Sequence, residues 1–236
     1  MRRLAAVLFL LAAIPALAAD LHKPEWRGAA LSTHQEWTFD IPPPHYPKTI
    51  GPDTHRQRPT RSDNPFAAGI DDLYFGARGL LPPKMEWLPA FSQASGVWRV
   101  ARVQWGDIGP WGFLSFAIAN ADRKDLVKEI RVQVTSQDVT GPPQLMLQER
   151  QPPPKYWARI QPANVAVHPN MLPGGWTHRT YTYLVPDCPA GEVLDVFAPS
   201  GGVVYVDQVV VDTICRGPAQ PPEKPQQTPG NAQRPD

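Results

Sequence analysis

The chain has 236 residues and a formal charge of +1 at pH 7, and only 19% of it is charged, without the Lys/Arg cluster that a nucleic-acid-binding face requires. Its 30 prolines exclude long helices and cut strands into short pieces, because proline has no amide proton to give to either ladder. The longest apolar run, Leu4 to Leu17, falls short of the ~20 residues that span a bilayer as a helix.

That run follows Arg2 and Arg3 and ends in the small-residue triplet Ala16-Leu17-Ala18. This is the three-part layout of a secretory signal peptide over residues 1–18, cleaved after Ala18 or Ala19. The mature protein is therefore expected outside the cytoplasm: secreted, periplasmic or on the surface of a bacterial cell. Residues 19–96 lack sustained periodicity but carry Trp26, Trp37, Phe39, Tyr46, Phe66, Tyr74, Phe75 and Trp87 among prolines and glycines. Free tails are poor in aromatics, so this stretch reads as an extended arm that lays its rings on the core. A short strand is expected in it at Glu36 to Ile41.

From Val97 the pattern is that of strands. Trp98 to Val103 alternates apolar and polar residues, Trp111 to Ile118 is apolar nearly throughout, and Glu129 to Thr135 places Ile130, Val132 and Val134 on one face with Arg131, Gln133 and Thr135 on the other. Gln144 to Gln148, Trp157 to Ile160 and Asn164 to His168 are shorter candidates. Trp176 to Val185, Glu192 to Ala198 and Val203 to Thr213 close the series, separated by Pro186-Asp187-Cys188-Pro189 and Pro199-Ser200-Gly201-Gly202. About eight antiparallel strands at short, regular intervals predict an all-β, jelly-roll β-sandwich over residues 97–215. Residues 216–236, rich in proline and glutamine, predict a disordered tail.

Cys188 and Cys215 are the only cysteines. In an exported protein two thiols usually join, and closing that loop contributes roughly 3 to 4 kcal/mol by chain entropy. Neither cysteine has the spacing of a metal or redox site. The histidines at 22, 34, 45, 55, 168 and 178 are scattered, with no zinc-binding spacing.

Gly175-Trp176 opening a Thr/Tyr strand, followed by a Gly-Gly turn into Val203 to Val211, resembles the closing strands of galactose-binding-like jelly rolls, a group that includes many carbohydrate-binding modules. The resemblance implies a structural calcium ion with Asp207 as a ligand. Read from the residues alone, Asp207 is equally an inward aspartate that hydrogen-bonds to turn amides. Pro24 to Gly28, Gln35 to Trp37 and Asn64 to Phe66 resemble the start of exported bacterial proteins that often carry a C-terminal PEP-type sorting segment. No apolar C-terminal helix is present here, so the chain is expected to be released or held non-covalently.

Two stretches suit a sugar ligand. Trp105 and Asp107 sit in a glycine-rich loop, where an indole can stack on a pyranose and the carboxylate can accept from its hydroxyls. Tyr156, Trp157 and Arg159 follow three prolines and offer rings with a cationic handle. Each of these aromatics can also simply cap the core. The sequence contains no G-x-S-x-G elbow or zinc-protease motif. The expectation is a non-catalytic binding module for extracellular or envelope carbohydrate. The alternatives are a structural or protein-interaction component of the cell surface and, third, a glycan-cleaving enzyme.

Overall fold

The computed structural model describes residues 20–42, 56–66, 73–78, 85–102, 111–150, 157–168 and 172–217. The expected signal segment and nearly all of the expected tail lie outside the described residues. Fourteen strands are described: β1 (Ser32–Thr38), β2 (Arg56–Gln57), β3 (Arg61–Asp63), β4 (Leu73–Arg78), β5 (Met85–Phe91), β6 (Ala94–Ala101), β7 (Trp111–Ala119), β8 (Val127–Asp138), β9 (Gln144–Arg150), β10 (Trp157–Ile160), β11 (Asn164–Val167), β12 (Thr177–Val185), β13 (Gly191–Phe197) and β14 (Val203–Arg216). A single 3-10 turn at Pro173–Gly175 precedes β12.

The strands form two antiparallel sheets. The larger has eight strands, in the order β11-β12-β8-β14-β1-β3, with β6 pairing the early part of β14 and β5 pairing β6. The smaller has six, in the order β10-β9-β13-β7-β4-β2. Successive strands from β7 to β9 and again from β12 to β14 change sheets at each step, so the two layers are laced together by the chain.

Period-two alternation explains the core. Ile130, Val132 and Val134 of β8 and Val209 and Val211 of β14 point from the large sheet toward Leu114, Phe116 and Ile118 of β7 and Leu194 and Val196 of β13. Trp37 of β1, fully buried, meets Phe116 edge-on with ring centroids 4.8 Å apart and so ties the sheets together. Burying aromatic rings of this size stabilises by several kcal/mol each.

Two expectations change. The sheets begin well before Val97, because β1 pairs along all seven of its residues with β14 between Gln208 and Ile214. Its Trp37 and the adjacent Phe39 belong to the main core, so an apparently irregular stretch supplies an interior strand. The count also exceeds about eight, since short strands such as β2, β3 and β11 carry too few residues to show a period.

At one end of the sandwich, Cys188 and Cys215 form the disulfide, with Cα atoms 5.9 Å apart and a sequence separation of 27. It joins the turn after β12 to the end of β14 and packs with Ala121, Leu31, Phe66 and Leu126. Removing it by the double change Cys188→Ala/Cys215→Ala should cost about 3 to 4 kcal/mol, the loop-closure figure for a ring of this length. A urea titration of the two proteins reads this as a lower midpoint, with a steeper slope because the uncrosslinked unfolded chain exposes more surface.

Candidate functional site

Alternation sends every second residue of the large sheet away from the core. On β12 these are His178, Thr180 and Thr182, on β8 Arg131, Gln133 and Thr135, on β14 Gln208, Val210 and Asp212, and on β1 His34 and Glu36. The parity of β14 is set by a bulge between Val206 and Gln208, which moves its later residues one step relative to the earlier ones. The outer face of an antiparallel sheet is ordinarily wet. Here Gln133, Asp212 and His178 are at most 1% exposed.

Residues 20–31 lie across this face and explain the burial. Arg27 bridges Asp20 and Asp212, the latter at 2.6 Å, and the other oxygen of Asp212 meets Nδ1 of His34 at 3.0 Å. Burial alone would raise the Asp20 carboxyl, but the hydrogen bond and charge of Arg27, aided by Gln133, hold it below its ordinary value. Glu36 accepts a hydrogen bond from Gln208 at 2.7 Å and lies 3.6 Å from Arg61 of β3. A buried charge persists only when paired and hydrogen-bonded in this way.

Gln133 is the hinge of the face. Its Nε2 donates to Asp20 at 3.1 Å, which fixes its amide orientation, and its Oε1 accepts the backbone N–H of His22 at 3.1 Å. The same Oε1 lies 3.2 Å from Nε2 of His178. A carbonyl oxygen only accepts, so Nε2 of His178 carries the proton, and Nδ1 is the lone-pair nitrogen that takes the Thr135 hydroxyl at 3.0 Å. Burial, and then repulsion from His168 and His22, pushes the His178 pKa down to about 4. That imidazole stays neutral at physiological pH.

Three histidines meet here although 22, 168 and 178 have no motif spacing. The His22 and His168 rings stack with centroids 3.6 Å apart and planes 17° from parallel, and each lies within 5.3 Å of the His178 ring. The short β11–β12 hairpin brings His168 beside Thr180, whose hydroxyl is 2.9 Å from its Nε2. Next to the cluster is a shallow pocket of about 330 Å³ lined by His22, Lys23, Glu25, Trp26 and Arg131. The Arg131 guanidinium lies 5.8 Å from the centroid of the Trp26 ring and 3.3 Å from Glu129.

A second cleft, of about 490 Å³, opens at the disulfide end between Phe66, the end of β7 and the start of β13. Its walls are apolar except for Asn120 and Glu192. Glu192 is bound to the buried ammonium of Lys128 at 2.6 Å and accepts from Asn120 at 3.0 Å.

Asp207 sits in the β14 bulge, 4% exposed, with Oδ2 buried and without a hydrogen-bond partner. Burial, and then the charge of Asp40, pushes its pKa up to about 7. Asp40 is brought to this corner by Gly96, where any Cβ would collide with the Phe39 carbonyl and the Asp40 Cα. Ser95 then donates to Asp40 at 2.8 Å. A buried carboxylate oxygen without a partner, in the field of a second and exposed carboxylate, is the kind of hard oxygen donor that calcium takes, and these two residues would supply only part of its roughly six to eight ligands.

Of the other residues singled out in the sequence, Trp105, Asp107 and Tyr156 lie outside the described residues. Trp157 is placed by its backbone alone, on β10, and Arg159 is exposed two residues further on the same edge strand. The cluster around Gln133 escapes a reading of the sequence because its members come from four distant segments. The one signal that could find it is parity: Gln133, Thr135, His178 and Thr180 all fall on the non-core side of their strands.

Fold and face together define an all-β sandwich whose large sheet carries a buried polar network on its outer side. A comparison with protein-family models, curated proteins and solved structures finds no match to this chain. Among the described residues, no helix is long and apolar enough to cross a membrane.

Proposed function

We propose that the protein is an exported, non-catalytic binding module of the galactose-binding-like jelly-roll type, and that it takes extracellular or envelope glycan. The observation that carries this reading is the pocket on the outer face of the large sheet. There the Trp26 ring stands beside Arg131, Lys23 and Glu25. An indole accepts the C–H face of a pyranose, the cations donate to its oxygens and the carboxylate accepts from its hydroxyls. The alternation of consecutive strands between the sheets supports the jelly-roll assignment, and the disulfide accords with an oxidising compartment. Asp207 and Asp40 would hold the calcium of this type, which neutralises a buried charge at the last strand.

The test is retention of the mature chain on insoluble polysaccharides. Trp26→Ala and Arg131→Gln should each weaken binding tenfold or more. Loss in Trp105→Ala and Trp157→Ala instead would move the site to the loops that the sequence alone suggests, and unchanged retention in all four would end the glycan reading. A second reading, a protein-interaction component of the cell surface, is favoured by edge strand β11, where Val165 and Val167 are 46% and 55% exposed. It predicts retention of a partner protein that is lost in Val165→Lys/Val167→Lys.

A further inference from the structure

We infer that His22, His168 and His178 form a binding site for a first-row divalent transition-metal ion, Zn²⁺ in the first instance. Their candidate ligand atoms all lie within 4.8 Å of one another. Zinc–nitrogen bonds of about 2.0–2.1 Å put tetrahedral ligands about 3.3 Å apart. The residual gap closes by rotation of His22 and His168, both only half-buried, about a fixed His178.

The protonation pattern suits a metal. Gln133 holds the proton of His178 on Nε2 and leaves Nδ1 as the basic nitrogen, which the Thr135 hydroxyl releases by turning about one bond. A partner on one ring nitrogen that fixes the tautomer is the usual support of an imidazole bound to a metal through the other. The Thr180 hydroxyl, which can donate or accept, engages Nε2 of His168 and leaves its Nδ1 for an ion. The His22 and His168 rings stack with their planes 17° from parallel, so taking up one ion requires both to turn until their in-plane lone pairs converge on it. Imidazole nitrogen is the donor that Zn²⁺ and its neighbours in the series favour, whereas calcium prefers oxygen, so this site and the Asp207 corner are chemically separate. Three protein ligands leave a fourth position for water.

The consequence is structural as well. His22 belongs to the segment that crosses the outer face, whereas His168 and His178 belong to the sheet, so the ion fastens the segment down. This inference does not depend on the glycan reading, because its readout is metal binding itself.

The untagged mature chain, stripped with EDTA, is titrated with Zn²⁺ by calorimetry and with Co²⁺ by visible absorption. One equivalent should bind with micromolar or tighter affinity, and Co²⁺ should give the intense bands of a four-coordinate site. His22→Ala and His168→Ala should each weaken Zn²⁺ binding at least tenfold while keeping the metal-free thermal midpoint. His45→Ala should bind as the wild type does. Absence of stoichiometric binding in the wild type, or binding undiminished in both His22→Ala and His168→Ala, would overturn the assignment.

Discussion

Glu192→Gln should destabilise the protein by about 3–5 kcal/mol, the cost of stranding one member of a buried ion pair. Lys128 on β8 and Glu192 on β13 come from different sheets, and both side chains are fully shielded from solvent. The ammonium also donates to the Pro189 carbonyl, and the second carboxylate oxygen accepts from Asn120, whose own oxygen takes the Thr213 hydroxyl. The pair is thus one end of a hydrogen-bonded chain that crosses the sandwich beside the disulfide. Removing the negative charge leaves the ammonium in a low-dielectric site where water cannot solvate it. The double change Lys128→Met/Glu192→Met should recover more than half of the loss, since an apolar pair of similar volume needs no solvation. Full recovery is not expected, because the Asn120 amide and the Pro189 carbonyl lose a partner, at about 1–3 kcal/mol for a buried group left unmade. Urea titration of the wild type and both variants at pH 7 measures all three. Equal losses in the single and double variants would show that the charge itself is not what matters at this site.

Asp207→Asn is expected to gain stability over the wild type as the pH rises, when both are measured in EDTA. In the folded wild type the Asp207 pKa is raised from 3.8 to about 7 by burial and then by Asp40. Between those values the folded state keeps a proton that the unfolded chain has released, so wild-type stability falls as the pH climbs through the window. Below it both states are protonated and the penalty is absent; above it the penalty is complete. At ~1.4 kcal/mol for each tenfold change in proton affinity, the upper figure is about 4 kcal/mol near pH 8. His178 titrates across part of the same range with the opposite sign, because its folded pKa is lowered to about 4. The difference between the two proteins, and not the wild-type profile alone, therefore isolates Asp207. Adding Ca²⁺ at pH 8 should raise the wild-type midpoint and leave that of Asp207→Asn unchanged, closing the gap. A pH-independent difference would mean that the carboxylate is solvated, and an equal response of both proteins to Ca²⁺ would remove Asp207 from the cation site.

Much of the sandwich is legible in the sequence because its interior strands carry clean alternation. Period alone assigns Ile130, Val132 and Val134 to the core, and they lie there at 0% exposure. The Val203 to Thr213 run is equally plain as a strand, but its continuous valines hide the bulge that sets which residues face outward. Most of β1 is hidden, because Gln35 and Thr33 occupy inward positions that an apolar pattern would not fill. The candidate face is legible only in part. Alternation places Arg131, Gln133 and Thr135 on the side away from the core, yet that side is covered, and coverage by residues 20–31 is a long-range contact that periodicity does not encode. The meeting of His22 with His168 and His178 follows from the same docking. Their sequence separations are set by the topology and bear no relation to a local ligand motif.

Ligand binding on the outer face of the large sheet, beside residues 20–31, is the claim on which the proposed function turns. The direct measurement is a two-dimensional NMR titration of the labelled mature chain with fragments of a polysaccharide that retains it, following the tryptophan indole and arginine side-chain N–H signals. The Trp26 and Arg131 signals should move together with the backbone amides of Lys23 and Glu25. Movement confined to the indoles of Trp105 and Trp157, with Trp26 unmoved, would contradict a site on that face.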